Sequence, residues 1–131
     1  MAQKRIVVLD NAPDSLESLC ELFRVWGYDV DAADEGKGAL AFALTHPTDI
    51  VVMDLSLPDG DALDVIRRIK AENEDIIVIA YSGWQHLGPA ARDAGADAFV
   101  LKPDLEGLER LLAYGRGRAG VALPVAVKKI D

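Results

Sequence analysis

Three short apolar runs, each ended by one polar residue, constrain the fold of this chain more than any other feature. Ile6-Val7-Val8-Leu9 ends at Asp10, Ile50-Val51-Val52-Met53 at Asp54, and Phe99-Val100-Leu101 at Lys102, with Pro103 directly behind it. The runs are rich in β-branched residues and lack the polar alternation of a strand with one wet face, so they read as parallel strands covered on both sides. Strands of one open α/β sheet share a carboxyl edge, and such sheets bind ligands there. The pattern therefore brings two carboxylates and an ammonium to one crevice.

The segments between these runs alternate in kind. Pro13 suits the first turn of a helix that runs to about Trp26, and Gly27 suits the left-handed residue that ends it. A second strand follows from Tyr28 to about Ala32. Asp34 is placed to cap a helix through Leu44, and Pro47 closes the next loop. Leu57-Pro58-Asp59-Gly60 is a turn by composition. A third helix sets Leu63, Ile66, Ile69 and Lys70 against the intervening Arg67, Arg68 and Glu72. Then come a strand from Ile76 to Tyr81, a helix from about His86 to Ala94 stopped by Gly95, a strand from Ala98 to Leu101, and a helix from about Leu105 to Tyr114. Such alternation demands a parallel sheet, and right-handed crossovers put helices on both faces. The expected fold is α/β, a five-stranded doubly wound parallel sheet in the flavodoxin-like order 2-1-3-4-5. In that order strands one and three are neighbours, so Asp10 faces Asp54, with Lys102 on the far side.

With 131 residues, half of them apolar, the chain suffices for one domain and its core. We expect that domain over residues 1–119 and a tail over 120–131 with no output domain. The near-alternation of Val121, Leu123, Val125 and Val127 around Pro124 suits an added edge strand or docking peptide as well as a loose tail. A net charge of -8 argues against direct nucleic-acid contact, which rests on cations neutralising phosphates. No apolar run approaches a membrane span, and the start shows no signal-peptide core, so the expected location is the cytoplasm. Cys20 falls on an apolar helical stripe with Leu16, Leu19, Phe23 and Trp26 and reads as core. Gly115 to Gly120 satisfies G-x-G-x-x-G, but it follows a helix, whereas a dinucleotide fingerprint follows the first strand. His46 and His86 have no second ligand at metal spacing and read as surface residues.

Four segments carry a family likeness: Val8-Leu9-Asp10-Asn11-Ala12-Pro13-Asp14, Met53-Asp54-Leu55-Ser56-Leu57-Pro58-Asp59-Gly60, Ala80-Tyr81-Ser82-Gly83, and Ala94-Gly95-Ala96-Asp97-Ala98-Phe99-Val100-Leu101-Lys102-Pro103. In this order and spacing the chain resembles the receiver domain of bacterial two-component response regulators, over about residues 4 to 116. The resemblance implies that Asp54 accepts a phosphoryl group from a phosphohistidine on a sensor histidine kinase or a histidine phosphotransfer protein. It further implies that Lys102 and Ser82 contact the phosphoryl oxygens and that Phe99 is a switch aromatic. Phosphate on Asp54 would draw Ser82 inward, turn Phe99, and reshape the surface of helix four, strand five and helix five toward a downstream protein target, with homodimerisation through that surface left open. A cis Lys102-Pro103 bond is also implied. Such a protein is no enzyme in the ordinary sense, since it assists only its own phosphoryl transfer, and help with dephosphorylation is left open.

In-line phosphoryl transfer is mainly positioning and charge stabilisation, so a metal and an ammonium are the parts to expect. Mg²⁺ suits an octahedron of carboxylate, carbonyl and water oxygens. By resemblance its ligands are Asp54, the Ser56 backbone carbonyl and the second residue of an acidic pair, with Asp10 acting through water. That second residue is Asn11 here, the chief departure from the family pattern. An amide oxygen brings no charge, so weakened Mg²⁺ binding is expected. A degenerate pseudo-receiver, acting as a phosphorylation-independent protein-binding module, remains as the rival reading. A flavodoxin-like FMN carrier would share the fold but lacks a phosphate-cradling loop after strand one, where Asp10 would repel the phosphate.

Overall fold

A computed structural model of the chain describes residues 4–57 and 62–117, the last four as backbone only. Its elements alternate without exception: β1 (Arg5–Leu9), α1 (Pro13–Val25), β2 (Asp29–Ala33), α2 (Gly36–Thr45), β3 (Ile50–Met53), α3 (Ala62–Glu72), β4 (Ile77–Ser82), α4 (Gly88–Ala94), β5 (Ala98–Leu101) and α5 (Leu105–Gly117). The strands form one parallel sheet in the order β2-β1-β3-β4-β5. Register is in step across its centre, with Leu9 beside Met53 and Met53 beside Ala80.

The runs without polar alternation are explained by two cores, one on each face of the sheet. Ile6, Val8, Val52 and Ile79 meet Phe23 of α1 and Leu108, Leu111 and Leu112 of α5. Val7, Leu9, Val51, Met53 and Val78 meet Ala39 of α2, Ile66 and Ile69 of α3, and Ala91 of α4. Successive side chains of a strand point to opposite faces, and here both faces are dry. Cys20 lies in the first of these cores, where burial raises its thiol pKa.

Element boundaries differ from the sequence reading at several points, among them the start of β2 at Asp29 rather than Tyr28 and the end of α5 at Gly117 rather than Tyr114. Glu35, not Asp34, stands at the N-cap of α2, and its side chain makes no capping bond. Helix four is shorter than expected: His86 belongs to a 3-10 turn over Gln85–Leu87, and α4 begins at Gly88. Pro89 sets that start, because proline lacks an N–H and its fixed φ suits a first turn. β4 is shifted by one residue, with Ser82 as its last member. Gly27 and Gly95 take the positive φ expected of helix ends, and the Lys102-Pro103 peptide is cis. The expected turn at Pro58-Asp59-Gly60 and the tail over 120–131 lie outside the described residues. No helix among the described residues is long and apolar enough to cross a membrane.

Candidate functional site

Each of the three polar strand-end residues adds one more backbone bond to the sheet and then leaves it. The amide of Asp10 donates to Ala33 O, that of Asp54 to Leu9 O, and that of Lys102 to Ser82 O, at 3.1, 2.8 and 2.9 Å. Their side chains are thereby launched from a fixed backbone at the carboxyl edge. β1 and β3 are adjacent, so the two carboxylates face each other, and Lys102 reaches across from β5. Its ammonium donates to Asp10 Oδ2 at 3.1 Å and to Asp54 Oδ2 at 3.0 Å.

The remaining carboxylate oxygens are also engaged. Asp10 Oδ1 accepts the Ala12 amide at 2.9 Å, and Asp10 Oδ2 accepts the Ser15 hydroxyl at 2.7 Å. Asp54 Oδ1 accepts the Ser56 amide at 3.0 Å. Asp10 is 2% exposed and Asp54 15%, so Asp54 is the carboxylate an incoming group can reach. Burial works against the Lys102 ammonium, but its hydrogen bonds to Asp54 and Asp10, with the charges of both, more than reverse that and leave its pKa raised. The ammonium also stands 5.6 Å from the centroid of the Tyr81 ring, within cation–π range. Burial raises the pKa of the Tyr81 phenol, with Lys102 opposing and Asp104 adding to the shift.

Ser82 is fully buried at the end of β4, and its Oγ accepts the Trp84 amide at 3.2 Å. Phe99 is buried in the core beneath α4, turned inward. Trp84 stands out at 56% exposure and meets His86 edge to face at 6.0 Å. Asn11 and Ser56 are exposed beside the carboxylates. Ser15 and Tyr81 are the site neighbours that sequence reasoning missed. Ser15 carries no signal of its own among the polar residues of its helix and Tyr81 only that of a strand residue, so only their neighbours in space give them a place here.

A bound Mg²⁺ would draw on two carboxylates, one amide oxygen and one backbone carbonyl. No group of three His, Cys, Asp or Glu among the described residues is placed to hold a metal. The available donors are all hard oxygens, which suits Mg²⁺ rather than a soft metal, at a lower ligand charge than three carboxylates would give.

Comparison with known proteins agrees with this geometry. The response regulator receiver domain profile matches residues 6–113. The transcriptional regulatory protein KdpE of Mycobacterium tuberculosis is 35% identical over 127 residues, 96% of this chain and 54% of KdpE. The response regulator MprA of Mycolicibacterium vanbaalenii is 33% identical over 114 residues, 86% of this chain and 48% of its own. The chain thus spans about half the length of these curated relatives. Among solved structures, the response regulator TrrA of Thermotoga maritima, crystallised with Mg²⁺ and BeF, superposes with a TM-score of 0.77 at 29% identity, covering 85% of this chain and 98% of its own. A two-component response regulator from Clostridium difficile has the same fold, with a TM-score of 0.83 at 20% identity, covering 91% of this chain and 100% of its own.

Proposed function

This chain belongs to the response regulator receiver domains of two-component systems, and from that membership we propose that Asp54 is its phosphoryl acceptor, charged by a phosphohistidine on a sensor histidine kinase or a histidine phosphotransfer protein. The observation that carries the proposal is the Lys102 ammonium, held at 3.1 Å from Asp10 and 3.0 Å from Asp54 at the carboxyl edge between β1 and β3. A carboxylate nucleophile needs to be ionised and reachable, and Asp54 is the more exposed of the pair. Lys102 is placed to follow the negative charge as it spreads onto phosphoryl oxygens.

Asp10, Asn11, Asp54 and the Ser56 carbonyl would hold Mg²⁺. When bound, it would supply charge neutralisation at the transferring group. The amide at Asn11 removes one negative ligand, so binding is weakened but the donor set is kept. From the family likeness, Ser82 would supply the hydroxyl that bonds a phosphoryl oxygen, and turning toward it would cost the Trp84 amide its partner. Phe99 is the switch: as Ser82 moves, the ring has room to leave the core beneath α4, and the α4-β5-α5 surface changes for a downstream protein partner or a second copy. That is a two-state element biased by a few charge-assisted bonds.

Intact mass before and after treatment with acetyl phosphate and Mg²⁺, for the parent and Asp54→Ala, tests the reading. A phosphate-sized gain in the parent alone supports it. Absence of any gain, with every donor tried, leaves a pseudo-receiver that acts only as a protein-binding module, the reading that the neutral Asn11 side chain favours.

A further inference from the structure

We infer that Ser15 is a positioning residue of the acceptor site, holding the Asp10 carboxylate in the plane that presents Oδ2 to Lys102. The inference rests on the acceptor reading above and adds a residue to it. A carboxylate anchored at one oxygen can still swing, because the torsion that turns it is broad. Asp10 is anchored at both: the Ala12 amide takes Oδ1 at 2.9 Å, and the Ser15 hydroxyl takes Oδ2 at 2.7 Å. Two donors on two oxygens fix the plane of the group. The oxygen Ser15 holds is also the one that accepts from Lys102 at 3.1 Å, so the hydroxyl sets one end of the Asp10–Lys102–Asp54 bridge.

Charge gives the contact a second reason. Asp10 and Asp54 outnumber Lys102 by one negative charge, and Asp10 is buried, so its excess is poorly screened. A short hydroxyl bond to an ionised acceptor is among the stronger neutral contributions available. Ser15 lies in the first turn of α1, two residues after Pro13, whose N-cap Ala12 offers no capping side chain. The competing explanation is therefore structural: Asp10 and Ser15 together merely close the start of the helix.

Ser15→Ala and Ser15→Thr separate the two. We expect Ser15→Ala to lower the rate of phosphoryl incorporation from acetyl phosphate at saturating Mg²⁺ about tenfold, as loss of an orienting partner does at other sites, with Ser15→Thr restoring it. The Lys102 ammonium, observed by ¹⁵N-detected NMR without any phosphoryl donor, should give a protected resonance in the parent and the Thr variant that is lost in Ser15→Ala. A fall in melting temperature with unchanged incorporation and an unchanged ammonium resonance would overturn the inference. If the parent itself takes up no phosphoryl group, the acceptor reading fails by that measurement, and the ammonium resonance alone then decides whether Ser15 sets the bridge.

Discussion

Lys102 and Lys70 sit at opposite ends of the sheet, and their surroundings differ in charge. At the amino ends of β4 and β5, the Lys70 ammonium donates to Glu74 O and Ile76 O at 2.8 Å each and to Asp97 Oδ2 at 3.0 Å. Asp97 Oδ2 also accepts the Val78 amide at 2.8 Å. One cation meets one anion, and backbone groups fill the remaining valences. Gly95 presses on this tie, since a Cβ there would meet Lys70 Cγ at 3.2 Å and its φ of +118° favours glycine. At the carboxyl edge one cation meets two anions. A balanced cluster has no use for a further cation, whereas the unbalanced one gains from any that arrives. The lesson is that charge excess, rather than the mere presence of a lysine–aspartate pair, separates the end we propose to be reactive from the structural one.

Lys102→Gln breaks the comparison most severely if it is wrong. It should lower phosphoryl incorporation by about a hundredfold or more, the usual cost of removing a donor aimed at developing charge, as read by intact mass over time. Incorporation at the parent rate would mean the carboxyl-edge lysine is structural after all. Lys70→Met should do the reverse, lowering stability in urea by about 2 kcal/mol while leaving incorporation alone; a fully buried pair broken on one side costs more, but Asp97 is a third exposed. Asn11→Asp sharpens the charge argument: it should tighten Mg²⁺ binding about tenfold, or ~1.4 kcal/mol, in isothermal titration. Equal affinity would show that ligand charge does not limit the site.

The smallest effect concerns pH. Because the folded state raises the Lys102 pKa, its ion pairs contribute stability that is fully present below the ordinary lysine value and lost as pH rises through the folded one. Above pH 10.5 the parent should therefore lose more urea resistance than Lys102→Gln, which has no such group to titrate.

What could be read from the sequence follows from how local the cause is. Asp10, Asp54 and Lys102 were legible because an apolar strand ends abruptly at each, and the sheet order then places them. Lys70 left a trace, a cation on the apolar side of helix three, but its partner Asp97 is 27 residues away and only the fold pairs them. Ser15 left none. A serine in a first helical turn has many ordinary uses, and its bond to Asp10 depends on how the chain turns between β1 and α1. The start of α4 was missed because the 3-10 turn before it shares its composition with a helix, while Pro89 marks the true boundary.

Trp84 offers an optical probe of the proposed switch. The chain holds two tryptophans, and the other, Trp26, lies partly buried near the far end of α1 against Phe23, at 5.6 Å between ring centroids. Trp84 stands in solvent two residues past Ser82, its backbone tied to that hydroxyl. If Ser82 leaves the Trp84 amide as proposed, the backbone that carries the indole loses that tie, so fluorescence from a Trp26→Phe protein would report on the proposed acceptor pocket in real time, with no dye attached.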